Sequence, residues 1–255
     1  MIRPAMVVVL AVLAGCATEG PKNASNEPTA ADLQNRARIH TELGALYADA
    51  GQLKTAVDEF KEALAADPRY APAHNQLGLA YMTLGENRLA QESFERALKI
   101  DPNDSAANNN YGMFLCRNKR SDEAFKYFMA ALKNPLYTTP ENAYANAGVC
   151  ARMQGDDVKA EDWLRKALAL QPNQPQALYQ LAEIQFKRGD RQASRAMLER
   201  HLQVVSNPSA DALWLGARVA ESLGDRSALG SYGTQLNNRY PDAVQTKAFN
   251  EGRFQ

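Results

Sequence analysis

Two short stretches, Leu43-Gly44-Ala45-Leu46-Tyr47 and Leu77-Gly78-Leu79-Ala80-Tyr81, place leucine, glycine and tyrosine identically and lie 34 residues apart. Working outward, Ala56, Phe60, Ala63 and Pro68 follow the first, and Ala90, Phe94, Ala97 and Pro102 follow the second, at the same interval. Self-similarity at a period of this size marks a stack of supersecondary units, none of which can bury its apolar face alone. Gly51 and Gly85 punctuate each unit between two apolar-periodic segments, which reads as helix, turn, helix. The proline stops the second helix, because it lacks a donor and clashes with the preceding turn.

The pattern resembles the tetratricopeptide repeat, in which small residues let two helices approach and an aromatic fills the space between them. A third unit carries Tyr111-Gly112, Leu115, Ala124, Phe128 and Ala131, and a fourth Ala147-Gly148, Ala160, Leu164, Ala167 and Pro172. A fifth keeps Leu181-Ala182, Ser194 and Leu198, and a degenerate sixth keeps Ala217, Gly224 and Pro241. Gly155, Gly189 and Gly224 repeat the turn signal. The expected fold is all-α, a superhelical solenoid of about six repeats over residues 32–241, with units near 37–70, 71–104, 105–140, 141–174, 175–209 and 210–243. Residues 242–255 are expected to cap the last apolar face, as a solenoid requires.

The N-terminus departs from this pattern. Arg3 precedes the apolar run Ala5 to Leu13 and the small residues Ala14-Gly15, the order of a secretory signal, and the run is too short to span a bilayer. Leu13-Ala14-Gly15-Cys16 resembles the bacterial lipobox, which implies cleavage after residue 15 and acylation of Cys16. Ala17 in place of aspartate then implies sorting to the periplasmic face of the outer membrane. Acyl chains contribute about 0.8 kcal/mol per buried methylene, so several of them on one cysteine anchor stably. Residues 16–31 are polar, carry Pro21 and Pro28 and read as a tether.

The 29 basic and 29 acidic residues cancel, which leaves no global field to attract nucleic acid. Nucleophile-elbow, phosphate-loop and zinc-protease motifs are absent from the sequence, so a catalyst is not expected and no cofactor or metal is implied. His40 and His74 are 34 residues apart and read as packing residues between helices, while His201 falls where a repeat usually has alanine. Setting Cys16 aside, Cys116 and Cys150 remain, again 34 apart, on adjacent first helices of their units. In an oxidising compartment they are expected to form a disulfide; two buried thiols is the alternative.

In such a solenoid the first helix of each unit lines the concave face. Reading the inward positions gives Asn75, Leu79 and Met82, then Asn109, Met113 and Cys116, then Val149, Arg152 and Met153, then Tyr179, Glu183 and Phe186. Methionines suit a groove that accepts an apolar segment, and asparagine amides can hold its backbone. The candidate binding residues are therefore Asn75, Leu79, Met82, Asn109, Met113, Val149, Met153 and Phe186. The positions that form a carboxylate clamp in co-chaperone repeats hold Thr41 and Ala45, which does not fit a chaperone-tail binder.

The run from Asn109 to Cys116, with Asn134-Pro135-Leu136-Tyr137, Pro140 and Asn146-Ala147-Gly148-Val149-Cys150, goes beyond the generic repeat. So do Leu213 to Ala220 and Tyr232-Gly233 through Tyr240-Pro241. These segments resemble the type IV pilus biogenesis and stability lipoproteins PilW and PilF. The resemblance implies six repeats in a right-handed superhelix, anchored to the outer membrane and acting as a pilotin. Such a protein binds the secretin PilQ and promotes its localisation or multimerisation; other pilus proteins are possible further partners. It also implies a cysteine pair joining units three and four, and a two-residue insertion before unit four. The alternative is a lipid-anchored scaffold for envelope proteases or cell-wall enzymes.

Overall fold

The computed structural model describes residues 27–254; the signal, Cys16 and the first part of the tether lie outside them. The described residues form thirteen helices and no strand. The first helices of the six repeats are α1 (Ala30–Asp49), α3 (Ala71–Leu84), α5 (Ser105–Arg117), α7 (Pro140–Met153), α9 (Pro175–Arg188) and α11 (Ala210–Leu223). Their second helices are α2 (Leu53–Ala66), α4 (Asn87–Ile100), α6 (Ser121–Leu132), α8 (Asp157–Leu170), α10 (Arg191–Val204) and α12 (Arg226–Arg239), and a short α13 (Val244–Asn250) follows. Each helix packs on its sequence neighbour, and each first helix also touches the first helix of the next repeat. This is the all-α repeat solenoid expected from the 34-residue period. None of the described helices is long and apolar enough to cross a membrane.

Within a repeat the two helices meet where a small residue admits a large one. A Cβ placed on Gly78 would come within 2.7 Å of the Phe94 ring, which is fully buried. Gly44 with Phe60, Gly112 with Phe128 and Gly148 with Leu164 repeat the arrangement. In the sixth unit the pair has slid one residue towards the N-terminus, so that Gly216 receives Tyr232, while Gly233 receives Phe249 of α13. The two glycines of α12 therefore differ: Gly230 faces open space, whereas Gly233 makes room for the cap.

Repeats are separated by turns with a left-handed residue. Gly51, Gly85, Gly155, Gly189 and Gly224 take positive φ there, and unit three uses Lys119 at φ 62° in their place. A side chain in that region costs roughly 1–2 kcal/mol, which glycine avoids. One boundary differs from the sequence reading. The solenoid begins at Ala30 rather than residue 32, because Thr29 and Asp32 form a reciprocal capping box that satisfies the first orphan donors of α1.

Cys116 on α5 and Cys150 on α7 are joined by a disulfide with a Cα separation of 5.7 Å. It crosses from the first helix of unit three to that of unit four, inside the largest buried cluster of the chain, which also holds Phe94, Tyr111, Phe114, Leu115 and Phe128.

Candidate functional site

The inner row of first helices is more tightly closed than the positional reading implies. Asn75 and Asn109 are only 6% exposed, and Met113 only 9%. The Asn110 side chain donates to Asn75 Oδ1 at 3.1 Å, and the Asn146 side chain donates to Asn109 Oδ1 at 3.0 Å. These amides thus link α3 to α5 and α5 to α7, which is where buried amides must find partners. Asn75, Asn109 and Met113 are accordingly corrected from groove-lining residues to seam residues. The position within a repeat gives a side chain's direction, but the next first helix stands close enough to cover it.

Leu79, Met82 and Val149 are half-buried against the same central cluster, and Met153 is 55% exposed with its sulfur 3.8 Å from Cys116 Sγ. The middle of the inner surface is therefore a short strip of aliphatic and sulfur-bearing side chains beside the disulfide. Phe186, the last of the expected groove residues, lies in a different setting. The guanidinium carbons of Arg191 and Arg218 sit 4.1 and 4.5 Å from its ring centroid. Arg152 points the same way, with Nη1 donating to Gln180 and to Glu183. Burial, with the Glu183 carboxylate beside it, pushes the Tyr179 phenol above its ordinary value.

The histidines act as clips in the packing. His40 Nδ1 lies 2.7 Å from a Glu59 oxygen, His74 Nε2 3.1 Å from the Pro68 carbonyl, and His201 Nδ1 2.9 Å from the Pro175 carbonyl. Burial holds the His74 imidazole below its usual range, in keeping with a neutral ring against a carbonyl. Among the described residues no three His, Cys, Asp or Glu side chains stand together as a metal site would require.

One surface escaped the sequence reading. On α1, Ile39, Leu43 and Leu46 are 48%, 36% and 67% exposed. Their counterparts one repeat on are Ala73, Leu77 and Ala80, and two repeats on Ala107, Tyr111 and Phe114, all of them buried. In later repeats these positions meet the preceding unit; α1 has no preceding repeat. The signal was present in the period itself, in three large aliphatics at positions whose partners are missing.

Comparison with known proteins agrees with this architecture. Matches to the tetratricopeptide repeat cover residues 71–104, 104–173 and 175–200, and a match described as TPR repeat covers 44–85. The type IV pilus assembly protein PilF of Pseudomonas aeruginosa is 31% identical over 249 residues, spanning 97% of this chain and 98% of that protein. The chain belongs to the PilF/PilW family of type IV pilus assembly proteins. Among solved structures, PilW, described as a widely conserved type IV pilus biogenesis factor, superposes with a TM-score of 0.72 at 34% identity, covering 83% of this chain and 97% of that one. Pseudomonas aeruginosa PilF superposes with a TM-score of 0.73 at 29% identity, covering 86% and 99%. Family membership and the repeat scaffold together support a role in pilus biogenesis exercised through protein partners. The likeness to PilF and PilW also extends past the repeats, since nearly the whole of each relative is covered.

Proposed function

We propose that this chain is a non-catalytic pilotin, held on the periplasmic face of the outer membrane through an acylated Cys16, which binds subunits of the secretin PilQ and promotes their assembly there. The observation that carries the binding step is the uncovered face of α1. Ile39, Leu43 and Leu46 recur at helical spacing and leave a repeat-packing surface without its repeat. A partner segment that completes this surface gains the burial that every later repeat gains from its predecessor, about 25 cal/mol per Å² of apolar area.

Position favours the same face. Thirteen residues separate Cys16 from Thr29, so α1 starts at most roughly 45 Å of extended chain from the anchor. A client gripped there is kept close to the membrane, and anchoring raises the effective concentration of a second encounter without adding a contact.

The test is the amount of heat- and detergent-resistant secretin multimer in outer-membrane fractions from cells carrying the native chain, Leu46→Asp or Met153→Glu. The expected result is loss of multimer with persistent monomer for Leu46→Asp and near-native multimer for Met153→Glu. Loss with Met153→Glu alone would move the binding step to the inner strip. Undiminished multimer in cells lacking the protein altogether would end the pilotin reading.

A further inference from the structure

The inner surface changes character between its middle and its C-terminal end. Arg152, Glu183, Phe186, Lys187, Arg191 and Arg218 line one open cleft of about 390 Å³, drawn from α7, α9, α10 and α11. Four of these side chains are cationic and one is anionic. Two of the cations are already neutralised: Arg152 pairs with Glu183, and Lys187 pairs with Asp157 at 2.5 Å. Among the described residues, Arg191 and Arg218 form no ion pair.

These two guanidiniums are nevertheless fixed in place. Both stack on the Phe186 ring, Arg191 Nη1 donates to the Phe186 carbonyl, and Arg218 Nε donates to the Phe254 carbonyl at 3.2 Å. A guanidinium carries five N–H donors in a rigid fork, so each retains several for a ligand. The entropy of ordering two long side chains has been spent in the folding of the chain and is not charged again on binding. Two immobilised forks beside an aromatic wall suit carboxylates on short aliphatic stems.

We propose that this cleft binds an acidic segment of a partner polypeptide, with Asp or Glu carboxylates received bidentately by Arg191 and Arg218 and their methylenes laid against Phe186. This site is separate from the apolar face of α1 and does not depend on it. Charge complementarity selects the occupant: an apolar segment would leave two desolvated cations unpaired, whereas a carboxylate-bearing one satisfies both.

The full-length chain in neutral detergent is titrated into fluorescein-labelled hexaglutamate, with anisotropy as the readout. The expected result is saturable binding that weakens at least tenfold in Arg191→Gln/Arg218→Gln and declines steeply with added salt. Arg88→Gln, an exposed arginine elsewhere, should bind as the native chain does. Because both guanidiniums support Phe186, Arg191→Lys/Arg218→Lys serves as the conservative variant; it should keep native helix content and recover part of the affinity. Equal affinity in the native chain and the glutamine double variant would overturn the proposal. So would absent hexaglutamate binding alongside arginine-dependent binding to phosphatidylglycerol vesicles, which would assign the cleft to a lipid surface.

Discussion

The two ends of the solenoid solve the same problem in opposite ways. At the C-terminal end, α13 lays Phe249 against Gly233, where a Cβ would come within 2.1 Å of the ring. Thr246 is buried there and donates to the Tyr240 carbonyl, while Asn237 and Asn250 exchange side-chain hydrogen bonds. Phe254 then folds back to stack on Trp214 and meets Phe249 edge-on. At the N-terminal end the equivalent repeat-packing positions are aliphatic and open. Solenoids ordinarily close both ends with polar or capping elements. A chain that seals one end so thoroughly and leaves large aliphatics exposed at the other has a stability problem at neither end and a binding surface at one.

The strongest way to probe this contrast starts from the middle, where Cys116 and Cys150 tie unit three to unit four. In a solenoid, stability is close to a sum of repeat and nearest-neighbour terms, so the two halves communicate only through the units between them. Cys116→Ala/Cys150→Ala should cost about 2–4 kcal/mol, the usual range for closing a loop of this size. Urea unfolding followed by circular dichroism should show a lower midpoint and a broadened transition as the halves separate. An unchanged, single sharp transition would mean that packing alone couples them.

The ends themselves are compared with matched truncations. Phe249→Ala removes the ring that fills the space above Gly233 and should cost about 2–3 kcal/mol, the low side of the range for aromatic truncation because the ring is only partly buried. Leu46→Ala removes an exposed side chain and should change stability by no more than ~0.5 kcal/mol. Equal losses at the two positions in thermal unfolding would show that the α1 face is covered in solution, and the contrast between the ends would fail.

Much of the fold was legible because a small residue and its bulky partner must recur together wherever two helices touch. The slip in unit six shows where that reasoning runs out. Ala217 and Gly216 are adjacent small residues, and the period favours Ala217, yet the tyrosine packs on Gly216 because Gly233 is taken by the cap. The binding surfaces were harder to read. Position within the repeat directed Asn75 and Asn109 inwards correctly but carried no information about their amide partners on the next helix. Arg191 begins a second helix and so fell outside any scheme based on first-helix positions, although Phe186, its platform, was found. The α1 face called for a different question, namely which residues lack a predecessor.

The smallest effect is expected at Lys119, and it isolates backbone from packing. Five of the six turns between paired helices place glycine in the left-handed region, and unit three places lysine there at φ 62°. Lysine gives up roughly 1–2 kcal/mol in that conformation, and glycine recovers it less the 0.5–1 kcal/mol of extra freedom it has when unfolded. Lys119→Gly should therefore stabilise the chain by about 0.5–1 kcal/mol, read as a higher midpoint in thermal or urea unfolding. Because Lys119 is exposed and lies far along the chain from both ends, its effect should add to those of Phe249→Ala and Leu46→Ala rather than alter their difference. A loss of stability instead would mean that the lysine side chain contributes a contact larger than the strain it imposes, and that the turn next to the disulfide is held by more than its backbone.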